Sequence, residues 1–539
     1  MFNQAAFFYY LSFFTRMHRR AALLRLGLLP ALPWALSACG GTSQAAPPGV
    51  NAARLAQAIA RLHDLVPRWL QRTGVPGAAV AVVYQGKISH AAGYGLRRID
   101  APERVDADTV FQLASLSKPI GATVMAAHMG EKTGLTWDTP IQQLLPDFSL
   151  AYSDTSLNTH LSLGDLYAHR SGLPDHAGDT LEDLGYTRSE ILQRLRFAAL
   201  HPYGQYDYTN FGLTAAAQAM SQAQGQDWAD LCASSLYQTI GMQRSSSRFS
   251  DFAAQQNRAW GHIQKDIDYA SYGASPAIYL VQEPPRQPDA QSPAGGVSSC
   301  ANDLARWMAL VLAGGRWQGQ QIIDAPALQA ALSARPGGNY GYGFNIGADP
   351  YGHASISHSG AFILGAATAF ILWPQAQLGI AVLTNAQPRG LAEALALSFG
   401  QYAWGETAQD QLAKDWLAAM QGKMHDLYRP QGKFATQAAP SAPIPAQNLN
   451  AYAGSYANDY WGSAKITLQP SGAGQALELR LGLAPTRYLL QHWDGDTFTF
   501  TPQGESFAPN SISAVHFSAG QMQIELLKED LAQGVFRRV

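Results

Sequence analysis

A run of alanine and proline, ATQAAPSAPIPAQN at residues 435–448, divides this 539-residue chain into two stretches that call for different folds. Ahead of it, apolar residues recur at helical spacing and are broken by Gly/Pro-rich loops. Beyond it come YAGSYAN, KITLQ, ALELRLG, RYLLQHW, DTFTFTP, SAVHFS and MQIELLKE. These short runs alternate apolar and polar residues and are split by Gly, Asp and Pro, as strands covered on one face require. Seven or eight such runs at 8–12-residue spacing predict a small all-β barrel or sandwich over 449–539. The length points to two or three folded units in all. With 47% hydrophobic and 14% charged residues, the chain can fill a large core and is not a disordered one. A net charge of −2, with no basic stripe after residue 50, leaves no electrostatic footprint for nucleic acid.

The start of the chain reads as an export signal. Met17-His18-Arg19-Arg20 is basic, AALLRLGLLPALPWALSA is apolar, and Leu36-Ser37-Ala38-Cys39 ends the stretch. A positive segment, a short apolar segment and small residues before a cut describe a signal peptide over 1–38. The quartet is similar to a bacterial lipobox, which predicts lipidation of Cys39, a membrane partner through that anchor, and a location on the periplasmic side of a bacterial membrane. Arg25, Pro30 and Pro33 interrupt the run and disfavour a spanning helix. Residues 1–16 precede an alternative start at Met17, and 39–50 form a small polar tether. The other two cysteines, Cys232 and Cys300, lie in apolar contexts and read as buried thiols.

Residues 51–434 form the larger unit. A helix over about 51–72 stops at Gly74 and Pro76, and AAVAVVY (78–84) followed by Gln85-Gly86 marks a strand and hairpin. Strand character returns at 355–357, 366–372 and 378–383. An α/β (α+β) fold follows, an antiparallel sheet flanked by helices.

Three separated pieces carry chemistry. Ser115-Leu116-Ser117-Lys118 opens a helix with Pro119 in its first turn. Ser115 and Lys118, three apart, share a face, so the amine can reach the hydroxyl, while Ser117 is expected to point elsewhere. Such a lysine serves as a base only when its surroundings lower its proton affinity. Tyr208-Thr209-Asn210 supplies a hydroxyl for proton transfer and an amide for a substrate carbonyl. His358-Ser359-Gly360-Ala361 follows strand-like sequence. There Gly360 would let the backbone approach a substrate, and the Ala361 N–H could pair with that of Ser115 as an oxyanion hole. His353 and His358 have no third ligand at usable spacing, so no metal is expected.

Together, S-x-x-K, Y-x-N and H-x-G in this order resemble the signature motifs of the serine β-lactamase, D-alanyl-D-alanine carboxypeptidase and esterase superfamily. AHRSGLPDH, SPAGGVSSCANDLARW and YGYGFNI are similar to the family's intervening segments, so the resemblance covers about 55–400. It implies an additional all-helical subdomain with the site at its junction with the sheet, and no cofactor. It also implies Ser115 as acylated nucleophile, Lys118 as its base and Tyr208 as a second acid/base group. Asn210, His358, Gly360 and Ala361 would contact substrate. The segment 449–539 resembles a lipocalin-like domain appended to such hydrolases. Where many relatives carry Lys-Thr-Gly this chain has His-Ser-Gly, and a mostly neutral His suits a substrate carboxylate poorly. The expected function is therefore hydrolysis of a small ester or a peptide, one containing a D-residue included, through acyl-Ser115. The alternatives are a β-lactamase or carboxypeptidase proper, and a catalytically silent binding lipoprotein.

Overall fold

The computed structural model describes residues 49–270, 272–405, 415–472 and 474–539. The signal segment, Cys39 and nearly all of the tether lie outside the described residues.

Helix α1 (Ala52–Thr73) begins where the Asn51 side chain accepts the Arg54 N–H at 3.0 Å. It ends at Gly74, whose φ of 78° a side chain would resist. It leads into strands β1 (Gly77–Tyr84) and β2 (Lys87–Gly95). Helices α2 (Ser117–Ala127), α3 (Asn210–Gln224) and α4 (Ala301–Leu312) lie in the long excursion that follows. The chain then returns to the sheet with β3 (Asn345–Ala348), β4 (Ala354–Phe362), β5 (Ala366–Trp373) and β6 (Leu378–Thr384). The six strands pair antiparallel in the order β2-β1-β6-β5-β4-β3.

Burial of the sheet on both faces explains why β1 is apolar throughout. Ala78, Val80 and Val82 pack with α1 and with α5 (Leu391–Trp404), whereas Ala79, Ala81 and Val83 join the core that includes α4. One face of each strand thus serves each core, as a period of two dictates. Cys232 and Cys300 are buried free thiols. No described helix is long and apolar enough to cross a membrane.

Past α6 (Trp416–Leu427), the alternating stretch forms a closed, eight-stranded antiparallel barrel. Its strands are β7 (Gly454–Asn458), β8 (Gly462–Ser471), β9 (Gly474–Leu481), β10 (Arg487–Asp494), β11 (Thr497–Phe500), β12 (Ser513–Ser518), β13 (Gln521–Ile524) and β14 (Val535–Arg538). Pairing of β7 with β14 removes the open edges. The barrel docks on the larger unit through directed bonds. Tyr460 Oη accepts the Gly178 N–H at 2.8 Å, Tyr186 donates to the Trp461 carbonyl at 3.1 Å, and Asp183 accepts the N–H groups of Glu505 and Ser506.

Candidate active site

Ser115 sits in a tight turn, Ala114–Leu116, immediately ahead of α2. Ala114 before it is held at φ 49°, a left-handed backbone that costs a non-glycine residue roughly 1 kcal/mol or more. Tertiary packing against Phe362 and Ala366 holds it there. Strand β4 runs close by. A Cβ on Gly360 would lie 2.3 Å from the Leu113 carbonyl oxygen and 2.9 Å from the Ser115 nitrogen. The residue is glycine because the strand abuts the backbone of Ser115 itself, a constraint that the sequence did not reveal.

Lys118 is fully buried, and its Nζ lies 3.1 Å from Ser115 Oγ, 2.5 Å from Asn210 Oδ1 and 3.1 Å from the Ala294 carbonyl oxygen. These three oxygens can take all three N–H bonds of the ammonium. Once a proton is lost, the two N–H bonds that remain keep the Asn210 and Ala294 oxygens and the lone pair faces the Ser115 hydroxyl. Burial lowers its pKa from 10.5 to about 7, against an opposing pull from Asp179. At neutral pH about half of it is then deprotonated, where an ordinary lysine would be so in about one molecule in three thousand.

Tyr208 donates its hydroxyl to Ser115 Oγ at 2.9 Å. Burial keeps its pKa well above 10, so it stands as a phenol, a proton donor rather than a base. The two groups flanking Ser115 therefore differ in kind: Lys118 has a lone pair to take a proton, and Tyr208 has a proton to give.

Asn210 is engaged at both ends. Its Oδ1 faces Lys118, and its Nδ2 donates to Asp179 Oδ2 at 2.7 Å. His176 also donates to that oxygen, from Nδ1 at 2.6 Å. Burial disfavours the His176 cation, but Asp175 and Asp179 outweigh it and raise its pKa to about 9.

His358 stands behind the reacting groups. Burial and the neighbouring Lys118 charge lower its pKa to about 3, so the ring is neutral. Its Nδ1 donates to the Ser359 carbonyl at 2.7 Å, which leaves Nε2 to accept the Tyr340 hydroxyl at 3.0 Å. Tyr340 in turn lies 3.3 Å from His169 Nε2, whose other nitrogen accepts the Thr209 N–H. This His169–Tyr340–His358 chain backs the Tyr208 ring, with centroids of His169 and Tyr208 4.5 Å apart. His353 is elsewhere, stacked on Trp404 at 3.8 Å. Ser117 does point away from Lys118, but it is buried structure and not a spare hydroxyl: it donates to the Ala114 carbonyl and accepts the Val297 N–H.

The β-lactamase family's sequence profile (described as "Beta-lactamase") matches residues 55–399, more than half of the chain. The chain belongs to the β-lactamase family. Among curated relatives it is similar to Esterase EstB of Burkholderia gladioli, at 25% identity over 65% of this chain and 95% of that one. It is also similar to the unguisins hydrolase of Aspergillus violaceofuscus, at 26% identity over 43% of this chain and 41% of that protein, less than half its length. Among solved structures, an octameric penicillin-binding protein homologue from Pyrococcus abyssi superposes with a TM-score of 0.55 at 16% identity, covering 89% of this chain and all of that one. A class C β-lactamase superposes at 0.52 and 18% identity, covering 66% and 98%.

In this member of the family a cleft opens above Ser115. Ser115, Asn210, Ala361 and Phe362 line one side, with His176, Asp179 and Arg286 beside them. The barrel adds Glu505, Phe507, Leu526 and Glu529 to the lining. Glu505 accepts the N–H groups of Ile363 and Leu364, just past the end of β4, and Arg286 bonds to Glu182 beside it. Lys118, Tyr208 and His358 lie beneath this surface. Asp179 and His176 sit in or just after AHRSGLPDH, which sequence reading singled out as a segment without finding their role. The barrel carboxylates carry no sequence signal at all, because only the tertiary docking brings them here.

Proposed function

We propose that the protein is a serine acyl hydrolase that cleaves a small ester or a short peptide, including one with a D-residue, through an acyl-Ser115 intermediate. The observation that carries this reading is the buried Lys118 amine 3.1 Å from Ser115 Oγ, opposite a phenol donating to the same oxygen at 2.9 Å. Lys118 removes the Ser115 proton as Oγ attacks the substrate carbonyl, and the oxyanion forms against the backbone at Ser115 and Ala361. Tyr208 gives its proton to the leaving oxygen or nitrogen and is reprotonated from the Lys118 ammonium. Water then attacks the acyl-enzyme along the same proton path in reverse.

The ester side of the reading is supported by the similarity to an esterase over nearly all of that enzyme's length. β-Lactam turnover and terminal-carboxylate recognition are disfavoured, because the residue at the usual lysine position is a neutral, buried His358 already bonded to Tyr340. A silent binding protein would have no reason to keep a lysine at zero exposure with every proton accounted for. The decisive experiment is labelling with a fluorophosphonate probe. The wild type should be modified once, at Ser115, and Ser115→Ala should not react. Tyr208→Phe should turn over a p-nitrophenyl short-chain ester and a D-alanyl peptide roughly 10²–10⁴-fold more slowly. Labelling that persists in Ser115→Ala would refute the assignment.

A further inference from the structure

Asn210 could place either end of its amide toward Lys118, since the two orientations have nearly the same shape. What decides between them is the group on its other side. Asp179 Oδ2 can only accept, so Nδ2 must turn to it and Oδ1 must turn to Lys118. Were the amide reversed, Nδ2 would donate into the Lys118 lone pair and compete with the Ser115 hydroxyl for it. Asp179 is itself held: the His176 ring donates to the same oxygen, and the His176 backbone N–H donates to the Tyr208 carbonyl at 2.7 Å.

We propose that Asp179 is a positioning residue for the acyl-transfer reaction, which dictates the orientation of the Asn210 amide and so keeps the Lys118 lone pair directed at Ser115. This rests on the serine hydrolase reading above. Asp179 lines the cleft but has no bond to Ser115, so it acts through Asn210. Its negative charge also favours the ammonium form of Lys118, opposing burial. The position thus settles both where the base points and the pH at which it becomes free.

Several titratable groups surround this pair. Asp175 and His176 belong to the same loop as Asp179, Tyr208 lies beside it, and Glu529 and Tyr460 face it from the barrel. His169 and His358 lie around Lys118. All are common to wild type and variant, so the difference between two profiles isolates Asp179.

The test is the pH dependence of kcat/KM on a p-nitrophenyl short-chain ester, with Asp179→Asn as the perturbation. This nearly isosteric change removes the charge and also the obligation on Asn210, since an amide can both donate and accept. The plateau should fall roughly 10- to 100-fold, the cost of a misdirected catalytic group. The acid limb should move to lower pH by about one unit, because Lys118 loses a stabilising anion. A merely structural role predicts the reverse, since a loosened site admits water and raises the lysine toward its ordinary value. His176→Gln provides the complementary arm. It leaves Asp179 in place but strips the cation from it, so the acid limb should move to higher pH. An unmoved limb in both variants, or an upward shift in Asp179→Asn, overturns the proposal. Should Asp179→Asn fail to fold, Asp179→Ser, which removes the same charge, takes its place and should likewise move the limb to lower pH. Fluorophosphonate labelling of the wild type is read alongside: no labelling at Ser115 sinks the hydrolase reading, whereas labelling without the shifts sinks only this one.

Discussion

Gly360→Ala puts one methyl group where the structure has no room. The added carbon would stand 2.3 Å from the Leu113 oxygen, 2.5 Å from Thr368 Oγ1 and 2.9 Å from the Ser115 nitrogen, while ordinary contact begins at 3.4 Å. Two of the three obstacles are backbone atoms, so no side-chain rotation relieves them. Strand β4 must withdraw by about 1 Å from the Leu113–Ser115 segment, or that segment must yield. Overpacking of this kind costs roughly 1–3 kcal/mol of stability. A displacement near 1 Å between nucleophile and oxyanion donors lowers turnover about 10²-fold. Both effects are read from one preparation, by urea unfolding and by the rate of fluorophosphonate labelling. Gly347→Ala is the control: Gly347 lies on the neighbouring edge strand β3 with nothing within 4 Å of its added carbon, and should match wild type in both assays. If Gly360→Ala unfolds within about 0.5 kcal/mol of wild type and labels at the wild-type rate, the close apposition of β4 and Ser115 is wrong.

Activity on a p-nitrophenyl ester should rise with pH along a limb centred near 7, as Lys118, lowered to about 7 by burial, sheds its proton. A flat profile from pH 5 to 9 would exclude that amine as the base. Lipidation at Cys39 is expected from the LSAC quartet, so the wild type should partition with membranes and carry acyl chains by mass spectrometry. Cys39→Ala should move it to the soluble fraction, and a soluble, unacylated wild type would contradict the reading.

The parts of this molecule that sequence reveals are those whose physics is local. Ser115 and Lys118 meet because three helical positions separate them, and the change of period past residue 448 marks the barrel because alternation is a property of single strands. Strand β1 was legible for the same reason, as a short β-branched run that ends at Gln85-Gly86. What escaped depends on distant segments meeting. Asn210 looks in sequence like a ligand for substrate; it does line the cleft, and what sequence could not show is that Lys118 and Asp179 hold the two ends of its amide. Gly360 looks in sequence like a place of close backbone approach, and only the fold shows that Leu113 and Ser115 come close there. His358 looks like a group facing the cleft, yet Tyr340 and its own carbonyl neighbour hold it beneath the surface.

The barrel's share in the cleft has a consequence for timing. Ser115, Lys118 and Tyr208 leave the ribosome early, whereas Glu505 and Glu529 emerge hundreds of residues afterwards. At about 5–20 residues per second the delay is roughly 15–80 s. Until then the cleft above Ser115 lacks the part of its lining that the barrel supplies. The part of the lining that shapes access to Ser115 is thus the last to be made, and a message cut short before the barrel would encode Ser115, Lys118 and Tyr208 without it.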